Sequence, residues 1–278
     1  MKQKTWLTEN KKILSWFAKL DSINKKKNSI SEEQFDFINN RSEKPGIIFN
    51  PNEFIESVYI ESSFSKSYLC KLGEKYSTDK SPYNKNKVDS HRHVYTPFYD
   101  ILFSTLKEKK INFAEIGILD NSSIKMWREF FPNASIYAFD NREDILSQAK
   151  LDNLKNVYYK KLDVGNINDI NREFGILKDK GITFDVILDD SSHVFEHQIN
   201  VIKGCTQFLK ESGLLLIEDI YKYDENYSKH NYYSKLKKYL KYFSSIKMID
   251  SDHFNKFTEE LNNDLILVLT RNSKKYIE

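Results

Sequence analysis

Cysteine is almost absent from this 278-residue chain: Cys70 and Cys205 are the whole complement. Their separation fits no metal-ligand or redox spacing. No disulfide framework is expected, and both thiols are read as reduced, in a cytoplasmic setting. A chain this long builds its core without such staples. Charge of one sign is also lacking. Lys and Arg number 43 against 40 Asp and Glu, a net charge of +3, which makes no case for a nucleic-acid partner. No apolar run approaches the ~20 residues of a membrane span. The start, M-K-Q-K-T-W-L-T-E-N, has no apolar signal-peptide core. A G-x-G-x-x-G turn is missing as well, which argues against a dinucleotide ligand.

What is present is a globular pattern in a polar background. Lys and Asn lower the mean hydropathy to -0.62, but aromatics at 14% are too many for a disordered polymer. Helical periodicity predicts helices over Thr8–Leu20 and, from a capping-box start, Ser31–Ile38. A Pro-containing stretch, E-K-P-G-I-I-F-N-P-N, reads as a linker or loop. Helices near Ser65–Tyr76 and Tyr95–Lys107 then flank a polar loop.

From Ile111 strands and helices alternate. Strands are predicted at Phe113–Ile118, Ser135–Asp140, Val157–Asp163, Phe184–Asp189 and Gly213–Ile217, with helices at Ser122–Phe131, Arg142–Ala149, Ile167–Lys178 and Val194–Lys210. A Tyr/Lys-rich helix at about Ser228–Phe243 and two last strands, Ile246–Asp250 and Leu265–Thr270, complete the chain. The expected fold is α/β: a Rossmann-like, doubly wound, seven-stranded sheet, mostly parallel with the last strand antiparallel. The expected division is an N-terminal helical extension (1–60), a helical and loop lid (61–110) and the core (111–278).

Chemistry gathers at the strand ends, the edge where an open parallel sheet binds ligands. F-D-V-I-L-D-D-S-S-H puts Asp189, Asp190 and His193 at one end, and L-L-L-I-E-D puts Glu218 and Asp219 at the next. Carboxylates there can hold a hard divalent cation, and a nearby His can take a proton. The first strand ends in A-E-I-G, so Gly117 lets a ligand approach the backbone beside Glu115, and the helix opening at Ser122 or Ser123 offers free N–H groups. Asp140 ends the second strand about 20 residues on, placed to accept the hydroxyls of a ribose. Asp163 ends the third, as an adenine contact or only a helix cap. A nucleoside without a pyrophosphate, such as S-adenosylmethionine, suits this set.

E-I-G-I-x-x-x-x-S-x-x-M-W-x-x-F-F-P-N-A-x-I-x-A-x-D, then F-D-V-I-L-D-D-x-S-H-x-x-x-H-Q and I-E-D, resemble the class I S-adenosylmethionine-dependent methyltransferases. More narrowly, they resemble the metal-dependent sugar O-methyltransferases of the mycinamicin macrolide type and their polysaccharide-modifying relatives. The upstream K-L-G-E-K-Y-S-T-D-K and H-R-H-V-Y-T-P-F-Y extend the resemblance, which covers about Leu72–Tyr221. Two positions depart from the family: Asn121 and Ser77 stand where it has Gly, and Asn tolerates left-handed backbone better than most residues.

The resemblance implies magnesium on Asp190, Glu218 and Asp219, and His193 as general base. It implies S-adenosylmethionine against Glu115, Gly117, Ser123, Asp140 and Asp163, with Thr78 and Lys80 closing over it. Asp189 is placed with that set, with a cap on the next helix or metal ligation as the other readings. His91, His93, Tyr95, His197 and Tyr221 are the expected substrate side, with His197 alternatively structural. Trp127 reads as helix-to-sheet packing. The Tyr221–Tyr239 stretch is an acceptor-side lid, an oligomer contact or a snorkelling face. The implied activity is O-methylation of a sugar hydroxyl, with a non-sugar acceptor (phosphate-derived or catechol-like) or a non-catalytic cofactor-binding module as alternatives. The acceptor is a small molecule or a glycan, surface-polysaccharide biosynthesis is one context, and a homo-oligomer is plausible.

Overall fold

The computed structural model describes residues 54–84, 91–258 and 262–276. The helices predicted at Thr8–Leu20 and Ser31–Ile38, and most of the N-terminal extension, lie outside the described residues.

In chain order the elements are β1 (Glu56–Glu61), α1 (Tyr68–Tyr76), α2 (Tyr95–Leu102), β2 (Asn112–Ile116), α3 (Ser122–Phe130) and β3 (Ser135–Asp140). There follow α4 (Glu143–Lys150), β4 (Val157–Lys161), α5 (Ile167–Asp179), β5 (Phe184–Asp189) and α6 (Phe195–Cys205). The last are β6 (Leu209–Ile220), α7 (Lys229–Leu236), β7 (Phe243–Asp252) and β8 (Leu265–Arg271). The strands form one sheet in the order β1-β7-β8-β6-β5-β2-β3-β4. Neighbours run parallel, except that β8 is antiparallel to both β6 and β7. The expected Rossmann-like sheet with an antiparallel last strand is therefore present, with eight strands instead of seven.

The eighth is β1, which pairs in parallel with β7 from Glu56↔Lys247 to Glu61↔Asp252. Its Val-Tyr-Ile centre favours a strand, yet only Val58 of the six residues is fully buried. The expected boundary at residue 60 falls inside this strand. Other elements are trimmed where tight turns intervene. The helix expected to reach Lys210 stops at Cys205, where a 3-10 turn (Thr206–Phe208) feeds a longer β6. That expected over Ser228–Phe243 ends at Leu236, before a second turn at Leu240–Tyr242.

Side-chain alternation divides the core between the two faces of the sheet. Ile187, Leu215 and Ile217 join α5 and α6 on one face. Val186, Leu188 and Leu216 join α1, α2 and α3 on the other. Strands covered on both faces must be apolar almost throughout, as V-I-L and L-L-L-I are. Trp127 of α3 is fully buried, its ring centroid 5.2 Å from Phe113 of β2 and 5.8 Å from Tyr99 of α2. It pins α3 and α2 to the sheet. Among the described residues no helix is long and apolar enough to cross a membrane.

Candidate active site

The site is built where β2, β5 and β6 end side by side. The Asp190 N–H donates to the Ile116 carbonyl at 2.8 Å, so the turn after β5 folds over the end of β2. Gly117 lies beneath it with φ +89°, and a Cβ there would fall inside the contact shell of the Asp190 carbonyl oxygen. Only glycine meets both demands. Asn121 (φ 66°) and Ser77 (φ 61°) both take the left-handed conformation, so the two departures from the family glycines keep the glycine-like backbone. Asn121 fixes its turn by donating to Asp152 at 2.8 Å and to the Tyr159 hydroxyl at 3.0 Å. His193 (φ 58°) and Asp219 (φ 55°) are left-handed too. Such costly backbone clusters at functional sites.

Three carboxylates converge on one ammonium. Lys80 comes from the α1–α2 loop and is 1% exposed. Its Nζ donates to Asp190 and Glu218 and lies 3.5 Å from Glu115 Oε1. Burial opposes its charge, but Asp190, Glu218 and Glu115 outweigh that and hold its pKa well above the usual lysine value. The loop is anchored because the Lys80 carbonyl accepts the Tyr95 and Thr96 N–H groups at 3.1 Å each, at the start of α2. Thr78 supports it through the Lys80 N–H, which donates to Oγ1 at 3.4 Å. Lys80 therefore sits among the acids, with Thr78 supporting its loop. Tyr95 and Tyr99, one helical turn apart, aim their hydroxyls at Asp219 Oδ1 and Glu218 Oε1, each at 2.6 Å.

A second chain of contacts runs outward. His193 Nε2 is 3.3 Å from Asp219 Oδ2. On the other side of that carboxylate, His93 Nε2 lies 3.6 Å from Asp219 Oδ1 and His93 Nδ1 lies 3.4 Å from Asp264 Oδ1. Burial would lower the His93 pKa, but Asp219 and Asp264 raise it to about 9. Burial would raise Asp219, and His93, His193 and Tyr95 bring it below the ordinary value. Asp190, His193 and Asp219 each offer a ligand atom, all within 4.8 Å of one another. That oxygen-rich donor set, with one imidazole, fits a hard divalent cation.

The structure brings some of the expected residues together and separates others. Glu218, expected as a ligand beside Asp190 and Asp219, has its oxygens engaged by Lys80 and Tyr99, while His193, expected as the base, offers an atom within 4.8 Å of those two acids. His93 and Tyr95 were expected to touch substrate. Both are buried, with rings stacked 4.8 Å apart behind Asp219, so they orient that carboxylate. His91 is half-buried, its ring 5.5 Å from His93. Asp189 was placed with the cofactor set but is 2% exposed and accepts from the Ser191 hydroxyl at 2.6 Å. Burial there, against that bond, raises its pKa to about 7. His197 has other neighbours: its Nδ1 is 2.7 Å from the Ser192 hydroxyl, and its ring and Asp163 both lie against Gly165.

Ser123, Asp140 and Asp163 lie at the β2–β3–β4 end. Ser123 donates to Glu115 at 2.9 Å. Asp140 accepts from the Ile118 N–H at 3.2 Å and the Arg142 N–H at 3.0 Å, tying the two loops beside Gly117. Asp163 accepts from the Gly165 N–H at 2.9 Å in the turn before α5, and the cap of that helix is Asn166, not Asp163. Tyr221 lies with its ring 5.0 Å from Tyr227, whose hydroxyl donates to the His193 carbonyl at 2.7 Å. Tyr99 and Asp264 escaped the sequence reading. The signal for Tyr99 was its four-residue spacing from Tyr95; Asp264 had none.

No family model matches the chain. Over 175 residues, 60% of this chain, it is 26% identical to mycinamicin VI 2''-O-methyltransferase of Micromonospora griseorubida, of which the match spans 39%. A solved MycE methyltransferase of the mycinamycin biosynthetic pathway, in complex with Mg, SAH and mycinamycin VI, superposes with a TM-score of 0.53 at 18% identity. The superposition covers 76% of this chain and 57% of that one. The two chains share a fold. Demethylmacrocin O-methyltransferase of Streptomyces fradiae is 27% identical over 136 residues, 46% of this chain and 32% of the relative. The resemblance to sugar O-methyltransferases thus holds in sequence as well as fold, although the chain spans well under half the length of these curated relatives.

Proposed function

We propose that the protein is an S-adenosylmethionine-dependent, magnesium-dependent O-methyltransferase acting on a sugar hydroxyl. The observation that carries this reading is the grouping of Asp190, His193 and Asp219 within 4.8 Å, beside the Gly117 turn. Asp190 and Asp219 would hold the cation with His193 beside them, and Glu115, Gly117, Ser123 and Asp140 would face the cofactor. When bound, S-adenosylmethionine supplies an electrophilic methyl group, and magnesium lowers the pKa of a hydroxyl that touches it.

The chain's own residues do the rest. His193 Nε2 accepts the hydroxyl proton, and Asp219, 3.3 Å away, stabilises the resulting imidazolium. The Tyr227 hydroxyl on the His193 carbonyl holds the left-handed turn that presents the ring. Tyr221, packed on Tyr227, offers an aromatic face to the acceptor.

Calorimetric titration of S-adenosylhomocysteine and then magnesium, into the parent and Asp190→Asn, tests the reading before any acceptor is known. Cofactor binding by both, with magnesium binding by the parent alone, is expected. No cofactor binding to the parent would sink the methyltransferase reading. A panel of sugar acceptors then separates sugar from catechol-like substrates. There His193→Ala should lose roughly 10²–10⁴-fold in turnover while binding cofactor as the parent does.

A further inference from the structure

Asp190 belongs to two groups at once. It shares the buried Lys80 ammonium with Glu218, and it offers a ligand atom alongside His193 and Asp219. A carboxylate cannot give its full charge to both. The neighbours of Lys80 are otherwise provided for: Tyr99 donates to the second Glu218 oxygen, and Ser123 donates to the second Glu115 oxygen. Glu115 Oε1 has no hydrogen-bond partner, although it is buried and 3.5 Å from Lys80 Nζ. Three buried or part-buried carboxylates (Glu115, Asp190 and Glu218) thus share Lys80, and a fourth, Asp219, groups with Asp190 and His193 and has His93 on its other side. Without an internal cation, burying them together would cost several kcal/mol per charge.

We propose that Lys80 is the built-in counter-ion of this cluster and that a divalent cation competes with it for Asp190. On metal binding the ammonium gives up Asp190 and stays on Glu218 and Glu115, whose free oxygen is already aimed at it. Lys80 therefore sets the metal affinity, and does so from the loop before α2 and not from a strand end. The inference rests on the metal reading above but makes a separate demand: removing a residue from the site should tighten metal binding.

Mn²⁺ binding, followed by electron paramagnetic resonance without cofactor or acceptor, tests this in the parent and in Lys80→Met. The variant should bind Mn²⁺ about tenfold more tightly or better, because a like charge has left a buried site. Its melting temperature should fall without metal and recover with it. Equal or weaker binding by the variant would overturn the role of Lys80 and leave the metal reading standing. No Mn²⁺ binding by either protein would overturn both. Should Lys80→Met fail to fold, the parent alone decides. In ¹⁵N-lysine NMR a buried, carboxylate-bound ammonium gives a slowly exchanging signal, which magnesium should shift; an unmoved signal at saturating magnesium refutes the competition.

Discussion

At the scale of single residues, the site depends on positions where one atom more or less changes the chemistry. Gly117→Ala adds a methyl group that meets the Asp190 carbonyl, at a φ of +89°. The turn after β5 must then move, and Asp190 with it. The variant should lose about 1–3 kcal/mol of stability in urea unfolding and its magnesium binding as well; native-like values for both would show that the close approach is not required. This demand was legible in E-I-G-I, as was the left-handed tolerance of Asn121. The burial of His93 was not. In sequence it is one of two histidines in a polar loop, and Asp264, the acid that helps hold it, is about 170 residues away. Lys80 was legible as a site residue but not as the centre of an acid cluster, because its partners come from three different strand ends.

At the scale of elements, α2 is the part most closely joined to the chemistry. Its N-terminus is capped by the Lys80 carbonyl, and its first two turns carry Tyr95 and Tyr99 to Asp219 and Glu218. Tyr99→Phe keeps the ring against Trp127 and Phe103 but leaves one oxygen of the buried Glu218 without its donor. A loss of about 1–3 kcal/mol in chemical denaturation is expected, and a neutral result would mean that water replaces the hydroxyl. The strands that build the site, β2, β5 and β6, announce themselves as apolar runs because both their faces are covered. β1 does not, since it is a half-exposed edge strand whose partner lies near the other end of the chain.

At the scale of the molecule, the buried charges fix how stability responds to pH. Burial, against Lys80 and Ser123, raises Glu115 to about 7. Its stabilising share is complete below the ordinary carboxylate value and is lost as pH rises through 7. Asp189, also raised to about 7, acts in the same direction. His93, raised to about 9 against its burial by Asp219 and Asp264, contributes fully below its ordinary value and loses its share as pH rises through 9. All three slopes have one sign. Unfolding free energy should therefore decline from about pH 5 to pH 9, and Glu115→Gln should flatten the lower part of that decline. A stability maximum at pH 8 or above would contradict this account. Assembly order follows from the same sheet. β1 is made early, but the strand it pairs with, β7, emerges about 190 residues later. At about 5–20 residues per second, its hydrogen-bonding edge waits roughly ten seconds or more for a partner, so the earliest strand among the described residues is among the last to be fastened.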